Sequence, residues 1–275
     1  MDNEDKNFVM YPASSVDTAL SLLKNISGIQ LLAGATLENK IKSDFFSVLS
    51  IAEMTAIDKK ERYIDVGAAV SLSALLDLGE GRIPSVLYEA IKTIGTPFTR
   101  NLATIGGNIC ASSEKFKYTL YAPLLALDAR LEIRTPSELP HNILLSRLTV
   151  FPEKFLLSKI RIPLEDWNVS IFRRVGREGI LDEKSASFTF LAKMEKDVIS
   201  KIAIAFAGSI CFRNKELENT MQGLKLPLSD RQIEDLSRKS AEILASAESK
   251  NSYVLPSILK SQYLNLIRYS LEQLS

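Results

Sequence analysis

Apolar positions follow two rhythms along this chain, and each change of rhythm marks an element. From Ser14 onward Val16, Ala19, Leu20, Leu23 and Ile26 recur at helical spacing, and Asp17 completes a capping-box pattern behind Ser14. "GIQLLAG" predicts a short buried strand from Ile29 to Ala33, halted by Gly34, and "FSVLSIA" predicts a second. "TAIDKKERYIDVGAAVS" reads as a hairpin with a charged turn from Asp58 to Glu61. A short helix is expected from Ser71 through Leu78. Another is introduced by Pro84 and Ser85, with Leu87, Ala90, Ile91 and Ile94 on one face and Gly95 as its stop. A helix near Thr119 to Asp128 then precedes two strands, "RLEIR" and "FLLSKIRIP".

Pro163 and the polar "LEDWN" predict a boundary near residue 165. Beyond it "VSIFRRVG", "SASFTFLAKM" and "ISKIAIAFAGSI" read as three strands, the last two joined at Glu195 to Asp197. Two helices follow. The first is capped at Ser229 with Gln232 and buries Ile233, Leu236, Ile243 and Leu244; the second starts near Ser257 and aligns Leu264, Ile267, Leu271 and Leu274. The pattern predicts an α+β protein: a sheet-rich first part, then a smaller part of strands followed by helices, without internal repeats.

Composition narrows the chemistry. The 275 residues are 46% hydrophobic and 24% charged with a net charge of +1, which suits a soluble globular protein and gives no electrostatic reason to expect nucleic acid. Runs such as "KIAIAFAGSIC" are too short to cross a bilayer, so no membrane association is expected. The acidic start, Asp2, Asn3, Glu4 and Asp5, is unlike a signal peptide and points to a cytoplasmic protein. Cys110 and Cys211 are the only cysteines and His141 the only histidine. An iron–sulfur cluster or a structural zinc site usually takes four such ligands, so no metal site is expected here. A Cys110–Cys211 disulfide is compatible with the count but runs against a reducing compartment. Any redox work then falls to an organic cofactor.

Two stretches share a grammar. "QLLAGATLENK" is strand, glycine, small residue, hydroxyl; "LATIGGNICASS" is an apolar strand, Gly106-Gly107, Asn108, then small and hydroxyl residues. Glycine admits positive φ and close backbone approach, and successive exposed amides make an anion-binding concavity. Thr36, Thr104, Ser112 and Ser113 can donate to phosphate oxygens, and Asn108 can donate and accept. Ala-Gly and Gly-Gly are also ordinary turns. With neither G-x-G-x-x-G nor a P-loop present, these residues alone support an α+β domain with a candidate phosphate-binding loop pair.

"TIGGNI" (Thr104 to Ile109), preceded by "GTPFTRNLA" and followed by "APLLALDARLEIR", resembles the flavin-binding subunit of the molybdenum hydroxylases, the family of xanthine dehydrogenase and aerobic carbon monoxide dehydrogenase. "LLAGATL" is similar to its first flavin loop, "VLSIAEM" to the strand after it, and "FLLSKIRIP" and "FRRVGR" to later strands that close the site. The resemblance implies a two-lobed, PCMH-like FAD-binding domain over residues 1–165 and a C-terminal domain of three antiparallel strands plus helices over 166–275. It implies FAD held at Leu32, Ala33, Gly34, Ala35, Thr36 and Leu37 and at Thr104, Ile105, Gly106, Gly107 and Asn108. Ser112, Ser113, Leu157 and Arg173 are placed close to the cofactor, and no catalytic acid or base is implied. With no histidine in either loop, the FAD is expected to be non-covalent. Partners are expected to be an iron–sulfur subunit and a molybdopterin-binding large subunit, with NAD or another acceptor taking the electrons. Cys110 reads as a small packed residue, and Arg173 and Arg174 read equally as a solvated pair on a strand.

Departures from the family pattern keep rival readings open. Ala35 stands where the family usually has a second glycine; if that position needs positive φ, alanine is strained there by roughly 1 kcal/mol or more. After Asn108 the chain reads "ICASSEKFKYTLYAP", with no proline and with Lys117, Tyr118 or Thr119 where an aspartate is usual. A scaffold subunit of the same complex that has lost FAD is therefore the second reading. An independent FAD oxidoreductase of the same superfamily, such as a cell-wall precursor reductase, is the third.

Overall fold

The computed structural model describes residues 8–36, 41–111, 120–176 and 184–274. The chain opens with β1 (Met10–Tyr11), α1 (Val16–Asn25), β2 (Gln30–Leu32) and β3 (Phe45–Ser47), with β1 and β2 each pairing in parallel with β3. Helix α1 is capped one residue later than the sequence pattern suggests. Ser15 Oγ accepts the Thr18 amide at 3.1 Å, which lets Val16 begin the buried stripe completed by Ala19 and Leu23. The strand predicted at "FSVLSIA" is cut short, because the Ile51 amide turns back to the Val48 carbonyl and α2 (Ala52–Thr55) begins.

Next come β4 (Ile57–Lys59) and β5 (Tyr63–Gly67), the predicted hairpin, then a run of short helices: α3 (Leu72–Asp77), α4 (Ser85–Lys92), α5 (Pro97–Leu102), α6 (Ile105–Cys110) and α7 (Tyr121–Ala126). β6 (Arg130–Arg134), β7 (His141–Leu144) and β8 (Leu156–Pro163) complete a five-stranded antiparallel sheet in the order β4-β5-β8-β6-β7. Strict alternation makes this sheet one-sided. Ile64, Val66, Leu131, Ile160 and Ile162 are buried, while the opposite face carries charges already paired among themselves. Arg161 grips Asp65 through two bonds of 2.7 and 2.8 Å, and Glu132 accepts from Ser158 Oγ at 2.7 Å and from Arg134 Nε at 3.0 Å. Edge strand β7 escapes sequence patterning because its residues are half-buried at most and show no clean alternation.

The second part holds β9 (Val169–Val175), β10 (Ala186–Glu195), β11 (Val198–Ala207) and β12 (Cys211–Arg213), followed by α8 (Lys215–Met221), α9 (Asp230–Asn251) and α10 (Ser257–Glu272). The three expected antiparallel strands are joined by a fourth, giving the order β12-β11-β10-β9. The extra strand is three residues long, too short for its period to show, and a tight turn at Gly208 returns it to the sheet. The two faces of the sheet have different partners. Ile202, Ile204 and Phe206 pack with Phe188 and Phe190 under α9 and α10, whereas Ala203, Ala205 and Ala207 join the core of the first part, where α7 lies across β10 and β11. A stripe of alanines gives the helix room to approach the sheet closely. Arg213, on β12, locks this contact: it donates to Glu218 Oε1 at 2.9 Å, to the Leu125 carbonyl at 3.2 Å and to Asp128.

Candidate functional site

Each glycine stretch has one glycine pressed against neighbouring main chain, Gly34 in the first and Gly106 in the second. The segment Asn101 to Asn108 contains no strand. Thr96 caps α5 with Pro97 at its first turn, and Thr104 caps α6, its Oγ1 accepting the Gly107 amide at 3.0 Å. Gly106 and Gly107 are thus helical and have no positive φ. Between the two helices the chain runs antiparallel to residues 68–72. Leu72 N–H donates to Ala103 O at 2.8 Å, Ile105 N–H to Val70 O at 3.0 Å and Gly106 N–H to Ala68 O at 2.8 Å. That ladder brings Ala68 so near that a Cβ on Gly106 would lie 2.6 Å from both its Cβ and its carbonyl oxygen. The expected amide ledge at Gly106–Gly107 is therefore corrected: both amides are occupied from within the protein.

Gly34 shows the same logic and joins the two stretches. A Cβ there would sit 1.6 Å from the Leu102 carbonyl oxygen and 3.2 Å from the Ala103 nitrogen. The first loop rests directly on the α5–α6 connection, so two segments far apart in sequence form one surface. Next to this contact the amides of Gly34, Ala35 and Thr36 donate to no acceptor among the described residues. Asn108 Oδ1 is buried with no hydrogen-bond partner among those residues. A half-exposed row of amides without acceptors among the described residues is a place where an anionic ligand can bond, and a buried carbonyl oxygen without a donor is a second unmet polar group.

Ala35 has φ of +49° and is exposed, so the strain foreseen from its sequence position is present and nothing crowds the residue. Ala35→Gly is accordingly expected to stabilise the protein by about 0.5–1 kcal/mol, after glycine's extra chain entropy is set against the relieved strain. Urea unfolding monitored by far-UV circular dichroism measures it, and an unchanged or lower midpoint counts against the strain.

The other predicted residues fall in different places. Leu32 ends β2, and Ala33 to Thr36 form the loop; Leu37, Ser112 and Ser113 lie outside the described residues, as do the substituted positions Lys117 to Thr119. Thr104 is 2% exposed and spends its hydroxyl on the cap, so it shapes the site from beneath. Ile105 is fully buried. Leu157 is buried in β8 beside Ser158, whose carbonyl accepts the Ala68 amide at 3.0 Å, which ties that strand to α6 through Ala68. Arg173 departs from expectation. It shares a sheet face with Ile171 and Val175, turned toward α10, and its guanidinium donates to the Phe172 carbonyl at 2.8 Å. Arg174, on the opposite face with Phe172, reaches into the first part and donates to Thr93 O at 2.6 Å. The period-2 alternation of "VSIFRRV" carries that assignment, and Leu102 and Ala68 join it as residues that sequence reasoning passed over. Burial pushes the Cys110 thiol up to about 12, so it stays protonated, and the two cysteines form no disulfide with each other.

Comparison with known proteins gives the family and the fold. The family of the FAD binding domain in molybdopterin dehydrogenase matches residues 6–165. The chain is 25% identical over 217 residues to probable aldehyde oxidase 3 of Oryza sativa subsp. japonica, covering 70% of this chain and 15% of that protein. It is 32% identical over 128 residues to abscisic-aldehyde oxidase of Arabidopsis thaliana, covering 43% of this chain and 10% of that protein. The chain thus spans a small fraction of the length of these relatives. Among solved structures, reconstituted CO dehydrogenase from Oligotropha carboxidovorans matches with a TM-score of 0.76 at 16% identity, over 97% of this chain and 96% of that one. Quinoline 2-oxidoreductase from Pseudomonas putida 86 matches with a TM-score of 0.72 at 14% identity, over 98% and 95%. Among the described residues no helix is long and apolar enough to cross a membrane.

Proposed function

Because this chain belongs to the family of FAD-binding domains of molybdopterin dehydrogenases, we propose that it is the FAD-binding, electron-transfer subunit of a molybdenum hydroxylase resembling xanthine dehydrogenase. The observation that carries the reading is the Gly34–Leu102 contact, which fuses the two glycine stretches into one surface edged by the amides of Gly34, Ala35 and Thr36, which have no acceptor among the described residues. These amides fit the diphosphate of a dinucleotide, and the orphaned Asn108 oxygen fits one of its hydroxyls. Gly107 and Asn108 offer half-exposed surface, with Thr104, Ile105, Gly106 and Leu157 as the packed floor. FAD, when bound, supplies one- and two-electron transfer that none of these side chains provides. The protein's own part is to bind, orient and shield, and no residue of the site is asked to move a proton.

Two cysteines and a single histidine support a reading in which iron–sulfur clusters belong to one partner subunit and a molybdenum cofactor to a large subunit, with NAD or another compound proposed as acceptor. The division of labour within the chain falls near residue 165, with the C-terminal part buttressing the FAD-binding part. Substrate chemistry belongs to the large subunit in this reading, and the aldehyde oxidases among the relatives support aldehydes as its class. The cytoplasm is the compartment that suits two cysteines without a disulfide.

An absorbance spectrum of the purified protein tests the reading. Flavin bands, and FAD released intact on heating, are expected. A colourless protein that ignores added FAD would overturn it in favour of the scaffold reading, which the strained Ala35 favours.

A further inference from the structure

The C-terminal end of α4 is held by two arginines from different parts of the molecule. Arg100, on α5, folds back so that its Nη1 donates to Ile94 O and Gly95 O at 2.9 Å each and lies 3.5 Å from Lys92 O. The carbonyl between them, Thr93 O, accepts from Arg174 of β9 at 2.6 Å. Four consecutive carbonyls at a helix C-terminus, where the partial charge is negative, thus face two guanidinium groups. Arg174 is half-buried with no carboxylate partner among the described residues, and burial holds its guanidinium below the ordinary value. A cation desolvated without a counter-ion is costly, so its one directed bond is what keeps it in place.

That bond lies at the head of a short mechanical chain. Past Thr93, Gly95 turns the chain into α5 with φ of +48°, and a Cβ at that position would lie only 3.0 Å from the Thr99 side chain. Helix α5 ends at Leu102, the carbonyl on which Gly34 rests, and Ala103 O then accepts the Leu72 amide. We propose that Arg174 is a positioning residue through which the C-terminal part sets the dinucleotide site: clamping Thr93 fixes α5, and α5 holds the Leu102 carbonyl under the first loop. The inference rests on the proposed FAD site, and Arg174 acts on it without touching the cofactor.

The test uses the full chain with Arg174→Met, Arg174→Lys and, as a neighbour on the opposite sheet face, Arg173→Met. FAD affinity is read by quenching of flavin fluorescence, and amide hydrogen exchange is read on the protein without added FAD. Arg174→Met is expected to weaken FAD binding by at least about fivefold, the lower end of ordinary coupling between sites. Arg174→Lys, which restores a cationic donor for one carbonyl, should recover most of that loss, and Arg173→Met should match the wild type. In exchange, Arg174→Met should selectively speed the amides of Leu72, Ala103 and Ile105, leaving Ile64 and Val66 in β5 unchanged. Wild-type affinity in Arg174→Met, an equal loss in Arg173→Met, or exchange accelerated evenly along the chain overturns the proposal. If the wild type binds no FAD, the reading of the site fails, and the exchange pattern alone then decides the mechanical coupling.

Discussion

Gly34→Ala is expected to strip flavin from the purified protein while leaving most of its fold intact. The added Cβ would fall 1.6 Å from the Leu102 carbonyl oxygen and 2.4 Å from its carbon, a clash with main chain that no rotamer relieves. The loop must therefore lift off the α5–α6 connection, carrying the Gly34, Ala35 and Thr36 amides with it. A loop displaced by even an ångström loses the directed bonds of a preorganised site. FAD affinity should fall by more than about tenfold, equivalent to over ~1.4 kcal/mol. The midpoint of thermal unfolding measured without FAD should move little, because the loop is half-exposed at most positions and each kcal/mol shifts a domain of this size by about 2–4 °C. A variant that keeps its yellow colour and wild-type affinity would show that the contact does not define the site. The neighbouring position reverses the sign. Gly34 has an ordinary φ and needs glycine for space; Ala35 has space and lacks the conformational freedom of glycine. Opposite outcomes at adjacent residues separate the two causes more cleanly than either substitution alone.

How far the site was legible in the sequence follows from the same distinction. The strain at Ala35 could be foreseen, because it depends on one residue's own dihedral. The partner of Gly34 could not, because Leu102 reaches it only through tertiary packing. The stretch around Thr104 to Asn108 was misjudged locally: a glycine pair argues against a helix on propensity, yet Thr96-Pro97 and Thr104 are helix-start signals and the structure follows them. Tertiary contact decided the outcome, since the ladder with residues 68–72 pins the first turn of α6 and needs a Cβ-free residue at position 106. Alternation located β9, β10 and β11 from sequence, but which face of β11 meets which layer becomes clear only when the alanine stripe is seen against α7. α8 went unread although Asn214 caps it and Glu216 and Glu218 lie in its first turn, because it is only 7 residues long and Glu218, a charged residue, is buried beside Leu217 and Met221.

That network yields the largest stability effect expected in this molecule. Arg213 and Glu218 each have side chains only 5% exposed, and Glu218 Oε1 also accepts the Ile204 amide of β11 at 2.8 Å. Desolvation works against the Arg213 charge, but its bonds to Glu218 and Asp128 outweigh it and hold the guanidinium above its ordinary value. Arg213→Met would leave the buried Glu218 carboxylate with Lys215, mostly exposed and 3.3 Å away, as its one remaining cationic neighbour among the described residues. Breaking one side of a buried pair costs about 3–5 kcal/mol, so the urea midpoint should fall sharply and the thermal midpoint by roughly 10 °C. Removing both charges in Arg213→Met/Glu218→Leu should recover part of that loss, because a buried pair is worth far less than the penalty of orphaning one member. Recovery should be incomplete: the Ile204 amide loses its acceptor, at a cost of about 1–3 kcal/mol while it stays buried, whereas the Leu125 carbonyl keeps the Asp128 amide at 3.2 Å. Asp128, at 36% side-chain exposure, can turn to water and adds little. Equal stability losses in the single and double variants would mean that Arg213 acts by filling space, whereas the partial rescue identifies the charge pair as what joins β12 and α8 to the end of α7.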